Sequence, residues 1–305
     1  IILIVGSFAI TYFGLEKLGG FDELQLFASQ NVAQYALWRP LSDPDFPWLG
    51  ILIASPIVGI WYWCTDQYIV QRTLAAKDLK SARRGALWGA FLKVWPVLIF
   101  LIPGLIGAAL FEKGLLIIST GDNGKILGDH VFPAMVATLL PEGLRGLVVA
   151  GILAALMSSL SSLFNSTATL FTFDVYKKLR PFASDKRLIQ VGRIATLIVV
   201  ILGLLWIPIM PLISKGGLYQ YLQSVQSYLA PPITAVFLLG LFNQRINNKG
   251  ATWGLLLGFL LGMLKLFIQA FFGAEKIANP RFLAYVGDFN FLYFSGVLFL
   301  ICSAI

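Results

Sequence analysis

Charge is scarce in this sequence. Of 305 residues only 12% are Asp, Glu, Lys or Arg, about half of what a soluble domain carries. Histidine occurs once, as His130, and cysteine twice, as Cys64 and Cys302, both inside apolar runs. Two such cysteines make no disulfide framework and fix no redox compartment. No HExxH motif, nucleophile elbow or Walker loop is present, and no acid–base or metal-ligating set clusters along the chain, so nothing equips it as an enzyme. The polar/apolar alternation of barrel strands is also missing. A basic stripe on a soluble surface, which nucleic-acid binding needs, is not found either.

What the sequence has is apolar length. It is 58% hydrophobic, with a mean hydropathy of +0.80. In hydrocarbon every backbone polar group needs an internal partner, so continuous apolar runs cross as helices. With roughly 20 residues per crossing, eight stretches qualify, near 1–18, 48–71, 85–112, 146–175, 188–210, 217–242, 250–273 and 289–305. A shorter run, Val131 to Leu140, is too short to span and reads as a surface helix. The chain opens and closes inside apolar runs, and the first lacks the basic flank of a signal peptide. The expectation is one transmembrane domain over 1–305, truncated at both ends.

The loops orient these spans. If the loop after the first span lies outside, the inside loops hold Arg72, Lys77, Lys80, Arg83 and Arg84, then Lys177, Lys178, Arg180, Lys186, Arg187 and Arg193, then Arg245 and Lys249. The outside segments hold fewer: Lys17, Arg39, Lys113, Lys125, Arg145, Lys215, Lys276 and Arg281. The positive-inside rule places the richer set in the cytoplasm, and anchoring accounts for the net charge of +8. Lys93 and Lys265 remain within apolar spans. Lys265, among Leu264, Leu266 and Phe267, reads as snorkelling or locally partnered. Lys93 stands about ten residues beyond Arg83 and Arg84, ~15 Å into the bilayer at 1.5 Å per residue, and is the better site candidate.

Three spans carry polar constellations. In the fourth, Ala155, Ser158, Ser159, Ser162, Ser166 and Thr169 share one helix face. Such a stripe serves close helix packing, or else it offers neutral oxygens to a hard cation such as Na⁺. The second span holds Ser55-Pro56, Gly59 and then Trp61-Tyr62-Trp63-Cys64-Thr65-Asp66-Gln67. Pro56 predicts a kink or break, and the aromatics either stack on a sugar face or form an interfacial belt. Asp66 is expected to pair with a basic residue. The sixth span carries Tyr221, Gln223, Ser224, Gln226, Ser227 and Pro231-Pro232. Its glutamines bond neighbouring helices or a hydroxyl-rich solute, and the prolines are expected to disrupt the ladder.

At these motifs the chain resembles the sodium/glucose cotransporters of the solute:sodium symporter family. The matching stretches are Trp61 to Arg72 continuing to Lys77, Leu92-Lys93, Ala154 to Asp174, and Tyr221 to Pro232, and similarity extends over nearly the whole chain. The resemblance implies an all-α integral membrane fold of the leucine-transporter type, built from two inverted five-helix repeats. The first span would close the first repeat, and spans two to six would form a complete second repeat. It implies Na⁺ as co-transported ion, a glucose- or galactose-like sugar as solute, and a multi-pass place in the cell membrane, with the lipid bilayer as surroundings. By this resemblance Tyr62 is an aromatic inner gate under the sugar and Trp63 lies beside it. Lys93 and Gln223 match polar sugar contacts. Ala155, through its carbonyl, Ser158 and Ser159 match sodium ligands. Gly59 departs from the pattern, since close relatives place Ser, Thr or Asn there. Gln226 departs too, one turn from Gln223. Inositol or another polyol therefore remains an alternative solute. A sugar sensor or an uncoupled sodium conductor remains an alternative on the same fold.

Overall fold

The computed structural model describes residues 2–32, 36, 38–120, 126–210, 217–272 and 281–305. Lys125, Lys215 and Lys276 of the outside loops fall outside the described residues. Among the described residues there is no β-strand, only an isolated bridge between Thr120 and Ile126. The helices are α1 (Ile2–Leu18), α2 (Phe21–Gln30), α3 (Trp48–Ile60), α4 (Gln67–Leu74), α5 (Leu79–Leu92), α6 (Ile102–Glu112), α7 (Gly128–Leu139), α8 (Glu142–Thr169), α9 (Asp185–Trp206), α10 (Leu218–Phe242), α11 (Asn248–Phe272), α12 (Arg281–Asp288) and α13 (Phe291–Ala304). Three wider π-helical segments interrupt them: π1 (Trp61–Thr65), π2 (Val97–Leu101) and π3 (Leu170–Tyr176).

Each of the eight apolar stretches is helical. Six helical runs among the described residues are long and apolar enough to cross a bilayer: Trp48–Thr65, Leu79–Glu112, Glu142–Leu179, Asp185–Ile209, Leu218–Phe242 and Asn248–Phe271. The two outermost stretches fall short of that measure. α1 has 17 residues and meets α2 at an 81° bend, and α13 has 14 residues. The chain clusters into two compact units, Ile1–Ala36 with Thr73–Thr196, and Leu37–Arg72 with Leu197–Ile305.

The first unit is built around α1, which packs on α6, α7 and α8. Its core joins Ile10, Ile106, Leu110, Met135 and Val148, all fully buried. Glycines let these helices approach: a Cβ on Gly107 would stand 2.5 Å from Val131, and one on Gly151 would stand 2.8 Å from Ile2. The run Val131 to Leu140, expected on the surface, is the core helix α7. Met135 and Val136 turn into the unit while the short helix crosses nothing.

In the second unit α10 is the central helix, touching α3, α11 and α13. It runs unbroken through Pro231 and Pro232, where the ladder loses two donors as expected without breaking the helix. A proline frees the carbonyl four residues back. Pro232 frees that of Tyr228, and α11 presses against it with Gly262, where a Cβ would collide with Tyr228 O. Gly250, Gly254, Gly258 and Gly262 repeat every fourth residue along α11. Added Cβ atoms on Gly254 and Gly258 would meet Cys302 of α13, and one on Gly258 would also meet Pro232, 2.5 Å away. The polar contacts run Thr234 Oγ1 to Ile57 O at 2.9 Å and Tyr228 Oη to Gln269 Oε1 at 2.5 Å.

Lys265 does not snorkel. It is 2% exposed, and its ammonium donates to the carbonyls of Val286 and Gly287 (2.8 Å to the latter). Those are last-turn carbonyls of α12, which lack helical donors and carry the negative end of the helix dipole. A buried cation is therefore matched to orphan acceptors rather than to a carboxylate.

The segment before α3 is pinned to this unit. Asn290 donates to Pro44 O at 2.8 Å, Gln220 donates to Asp45 at 2.7 Å, and Phe46 lies edge-on to Phe291. Asp43 organises the turn by accepting from the backbone N–H of Phe46 (2.7 Å) and Asp45 (3.0 Å) and pairing with Arg39 at 3.0 Å. Partial burial pushes the Asp43 carboxyl up, but the two N–H donors and the guanidinium together hold it below the usual carboxylate value of 3.8. A depressed folded pKa adds stability that is full above about 3.8 and is lost as pH falls towards the folded value.

Two outcomes follow for the purified protein. Gly262→Ala should lower the thermal unfolding midpoint by the equivalent of about 1–3 kcal/mol of overpacking. Gly203→Ala, where a Cβ meets nothing, should leave it unchanged, and equal midpoints would refute the tight contact. Asp43→Asn should be less stable than the parent at pH 6, and this gap in unfolding midpoint should close as pH drops below 4. A gap constant with pH would show that the Asp43 charge does not hold the turn.

Candidate functional site

The second span does break, though not at Pro56. α3 passes through Pro56 and widens at Trp61 into π1, and the backbone turns extended at Asp66 (φ −73°, ψ 114°). Trp61 O accepts from both Asp66 N (3.2 Å) and Thr65 Oγ1 (2.7 Å). Asp66 then restarts the helix as a cap. Its side chain accepts from Tyr68 N at 2.9 Å and its carbonyl from Val70 N at 2.9 Å. This replaces the basic partner expected for Asp66: an Asp at a helix start satisfies an orphan donor and meets the favourable end of the dipole.

Tyr62 and Trp63 therefore sit on the widened turn itself. Their rings meet edge-on at 5.4 Å. Tyr62 is half-buried and Trp63 is 43% exposed. A π-helical turn inserts a residue and re-aims the side chains after it, which is why such turns collect at functional sites. Gly59, one turn earlier, has open space: a Cβ there meets nothing within 4 Å. Gln223 lies on α10, which packs against α3 and π1 in the same unit, and is half-buried.

Lys93 belongs to the other unit. It caps α5 at an interruption of the Leu79–Glu112 run, and its side chain is exposed. Pro96 accounts for the interruption, since it has no N–H to give. The chain crosses the gap with tight turns, Trp95 N to Leu92 O and Val97 N to Val94 O, before π2 resumes the rod. Pro96 was the available signal for this second break.

Ala155, Ser158 and Ser159 are exposed together on α8, also in this unit. α8 is unbroken there, so Ala155 O offers a cation only its second lone pair. The hydroxyl face divides along its length. Ser162 and Thr169 donate back to the carbonyls of Ser158 (3.1 Å) and Asn165 (2.8 Å), as does Thr167, off this face, to Leu163 (3.0 Å), and Ser166 is buried with no hydrogen-bond partner among the described residues. Ser158 and Ser159 make no such bond among the described residues, which leaves two adjacent hydroxyls turned outward. No group of three or more His, Cys, Asp or Glu side chains suited to a metal occurs among the described residues.

Residues 1–258 match the model of the sodium:solute symporter family. The chain belongs to that family. Similar proteins include sodium/glucose cotransporter 4 of Danio rerio, 36% identical over 98% of this chain and 49% of its own length. Sodium/myo-inositol cotransporter 2 of Homo sapiens is 39% identical over 98% and 47%, and sodium/glucose cotransporter 1 of Ovis aries is 36% identical over 99% and 49%. The chain spans about half the length of the curated relatives it matches. As a member of a symporter family the chain is a multi-pass membrane protein and not an enzyme, in keeping with the six helical runs among the described residues that are long and apolar enough to cross a bilayer. Of the eight positions singled out by sequence, Gly59, Tyr62, Trp63 and Gln223 fall in one unit and Lys93, Ala155, Ser158 and Ser159 in the other.

Proposed function

We propose that this chain forms part of a cell-membrane symporter that couples inward Na⁺ movement to uptake of a glucose-like sugar by alternating access. The observation that carries the reading is the division of the hydroxyl face. Ser158 and Ser159, exposed and without internal hydroxyl hydrogen bonds among the described residues, present next to the Ala155 carbonyl the neutral oxygens that Na⁺ takes. Tyr62 on its π turn supplies a ring for the sugar face, with Trp63 beside it. Gln223 and Lys93 supply hydrogen-bonding ends. These seven residues form the proposed sites.

Sodium can drive accumulation only by binding one conformation better than the other. The coupling is reciprocal, so a weakened ion site also weakens apparent sugar affinity. The membrane potential adds about 2.3 kcal/mol per charge per 100 mV. Loss of one oxygen facing the cation, taken as about 1.5–3 kcal/mol by analogy with hydrogen bonds to charged groups, weakens Na⁺ binding roughly 10- to 100-fold.

Myo-inositol is the second reading, favoured by the empty space at Gly59, where a hydroxyl or amide that would select a hexose is replaced by a hydrogen.

Na⁺-driven uptake of labelled glucose, galactose and myo-inositol into proteoliposomes separates these readings. Ser159→Ala should need 10- to 100-fold more Na⁺ and recover when it is supplied. Gln223→Ala should lose sugar affinity at every Na⁺ concentration. Binding or current without accumulation would refute symport and favour a sensor or conductor. Gly59→Asn should raise the glucose-to-inositol ratio several-fold, and an unchanged ratio would remove Gly59 from specificity.

A further inference from the structure

The rod of α8 and π3 continues past the bilayer. Glu142–Leu179 is 38 residues, ~57 Å at 1.5 Å per residue, against ~30 Å of hydrocarbon. At its Leu179 end the chain turns through Arg180 to Ser184 and enters α9. Arg187 N and Leu188 N close that turn on Ser184 O at 2.9 and 3.0 Å.

A cavity of about 910 Å³ lies in the turn, lined by Tyr176, Arg180, Phe182, Ser184 and Arg187 among others. Two guanidiniums border it and no carboxylate does. Arg180 has no side-chain partner among the described residues. Arg187 has long contacts to neutral atoms, Nε to Tyr176 Oη at 3.4 Å and Nη1 to Gln190 Oε1 at 3.5 Å. The nearby acids are engaged elsewhere: Asp174 faces Lys178 at 4.0 Å, and Asp185 does not line the cavity. Phe182, on the rim, is 101% exposed.

We propose that this cavity seats the phosphate of an anionic phospholipid of the inner leaflet. Arg180 and Arg187 hold the phosphate oxygens, with Tyr176 and Ser184 hydroxyls as further donors, while Phe182 enters the acyl region. Guanidinium forks suit phosphate, and the loop is on the side that the positive-inside rule places against the anionic leaflet. A soluble phosphate would explain the arginines. It would leave a bare phenylalanine beside them in water, which a lipid does not. General attraction of basic loops would be shared by the loop of Lys77, Lys80, Arg83 and Arg84, which carries similar charge. The proposal does not depend on which solute is carried.

Native mass spectrometry of the purified protein titrated with phosphatidylglycerol tests it, with phosphatidylcholine as the neutral control and inorganic phosphate as competitor. At about 1 kcal/mol per basic residue, Arg180→Gln with Arg187→Gln should weaken phosphatidylglycerol binding about 30-fold. Lys77→Gln with Lys80→Gln, an equal loss of charge, should change it less than about two-fold. Phe182→Ser should weaken lipid binding and leave phosphate binding unchanged. Equal losses in the two double variants would overturn the site in favour of diffuse attraction. Displacement of lipid by millimolar phosphate, with Phe182→Ser silent, would overturn the lipid in favour of a soluble anion. All variants lie in exposed segments, and unchanged unfolding midpoints will show that they fold.

Discussion

A backbone N–H or C=O without a partner in hydrocarbon costs several kcal/mol, and each irregularity in this chain is shaped by avoiding that cost. Where the second span widens, Trp61 O takes two donors and the Asp66 side chain takes the first free N–H of the helix that follows. Where Pro96 interrupts the third span, tight turns carry the bonding across the gap at Lys93. At Pro231-Pro232 the helix is continuous, and Gly262 of a neighbouring helix packs against the freed Tyr228 carbonyl because it has no side chain there. At the end of α12, whose last carbonyls have no helical donor, a lysine reaches out of α11 to supply one. Helix breaks in a membrane are tolerable where something specific satisfies them, and the residues doing so here are an aspartate, a threonine and a lysine.

The same constraint sorts the hydroxyls. A serine or threonine on a membrane helix can always return its proton to the carbonyl four residues back. Ser162, Thr167 and Thr169 do so, which makes them quiet in lipid. Ser158 and Ser159 keep their oxygens available beside an intact helix carbonyl. A hydroxyl coordinates a cation through its lone pairs, and what sets Ser158 and Ser159 apart is their exposure beside Ala155.

Much of this was legible in the sequence, because apolar length and lipid leave helix as the single outcome. All eight apolar stretches became helices. The failures share one cause: local propensity was weighed without the neighbour that overrides it. Pro56 looked like a kink or break, yet it lies in a continuous helix. Asp66 looked like half of an ion pair because its capping role appears only once the chain has turned extended. Lys265 offered no nearby acid in sequence, and its partners, 21 and 22 residues away, are backbone atoms that no residue type announces. The Gly250, Gly254, Gly258 and Gly262 repeat was readable as a close-packing face and Pro96 as the break beside Lys93. Both were outweighed by more conspicuous polar motifs.

Three oxygens from one helix are a partial shell for a cation, so on the proposed reading the ion's affinity depends on what the rest of the protein brings to Ala155, Ser158 and Ser159. A shell that is complete in one conformation and incomplete in another binds the ion well in the first and poorly in the second. That difference in affinity is what lets a ligand shift a conformational equilibrium, and a shell equally complete in both could drive nothing.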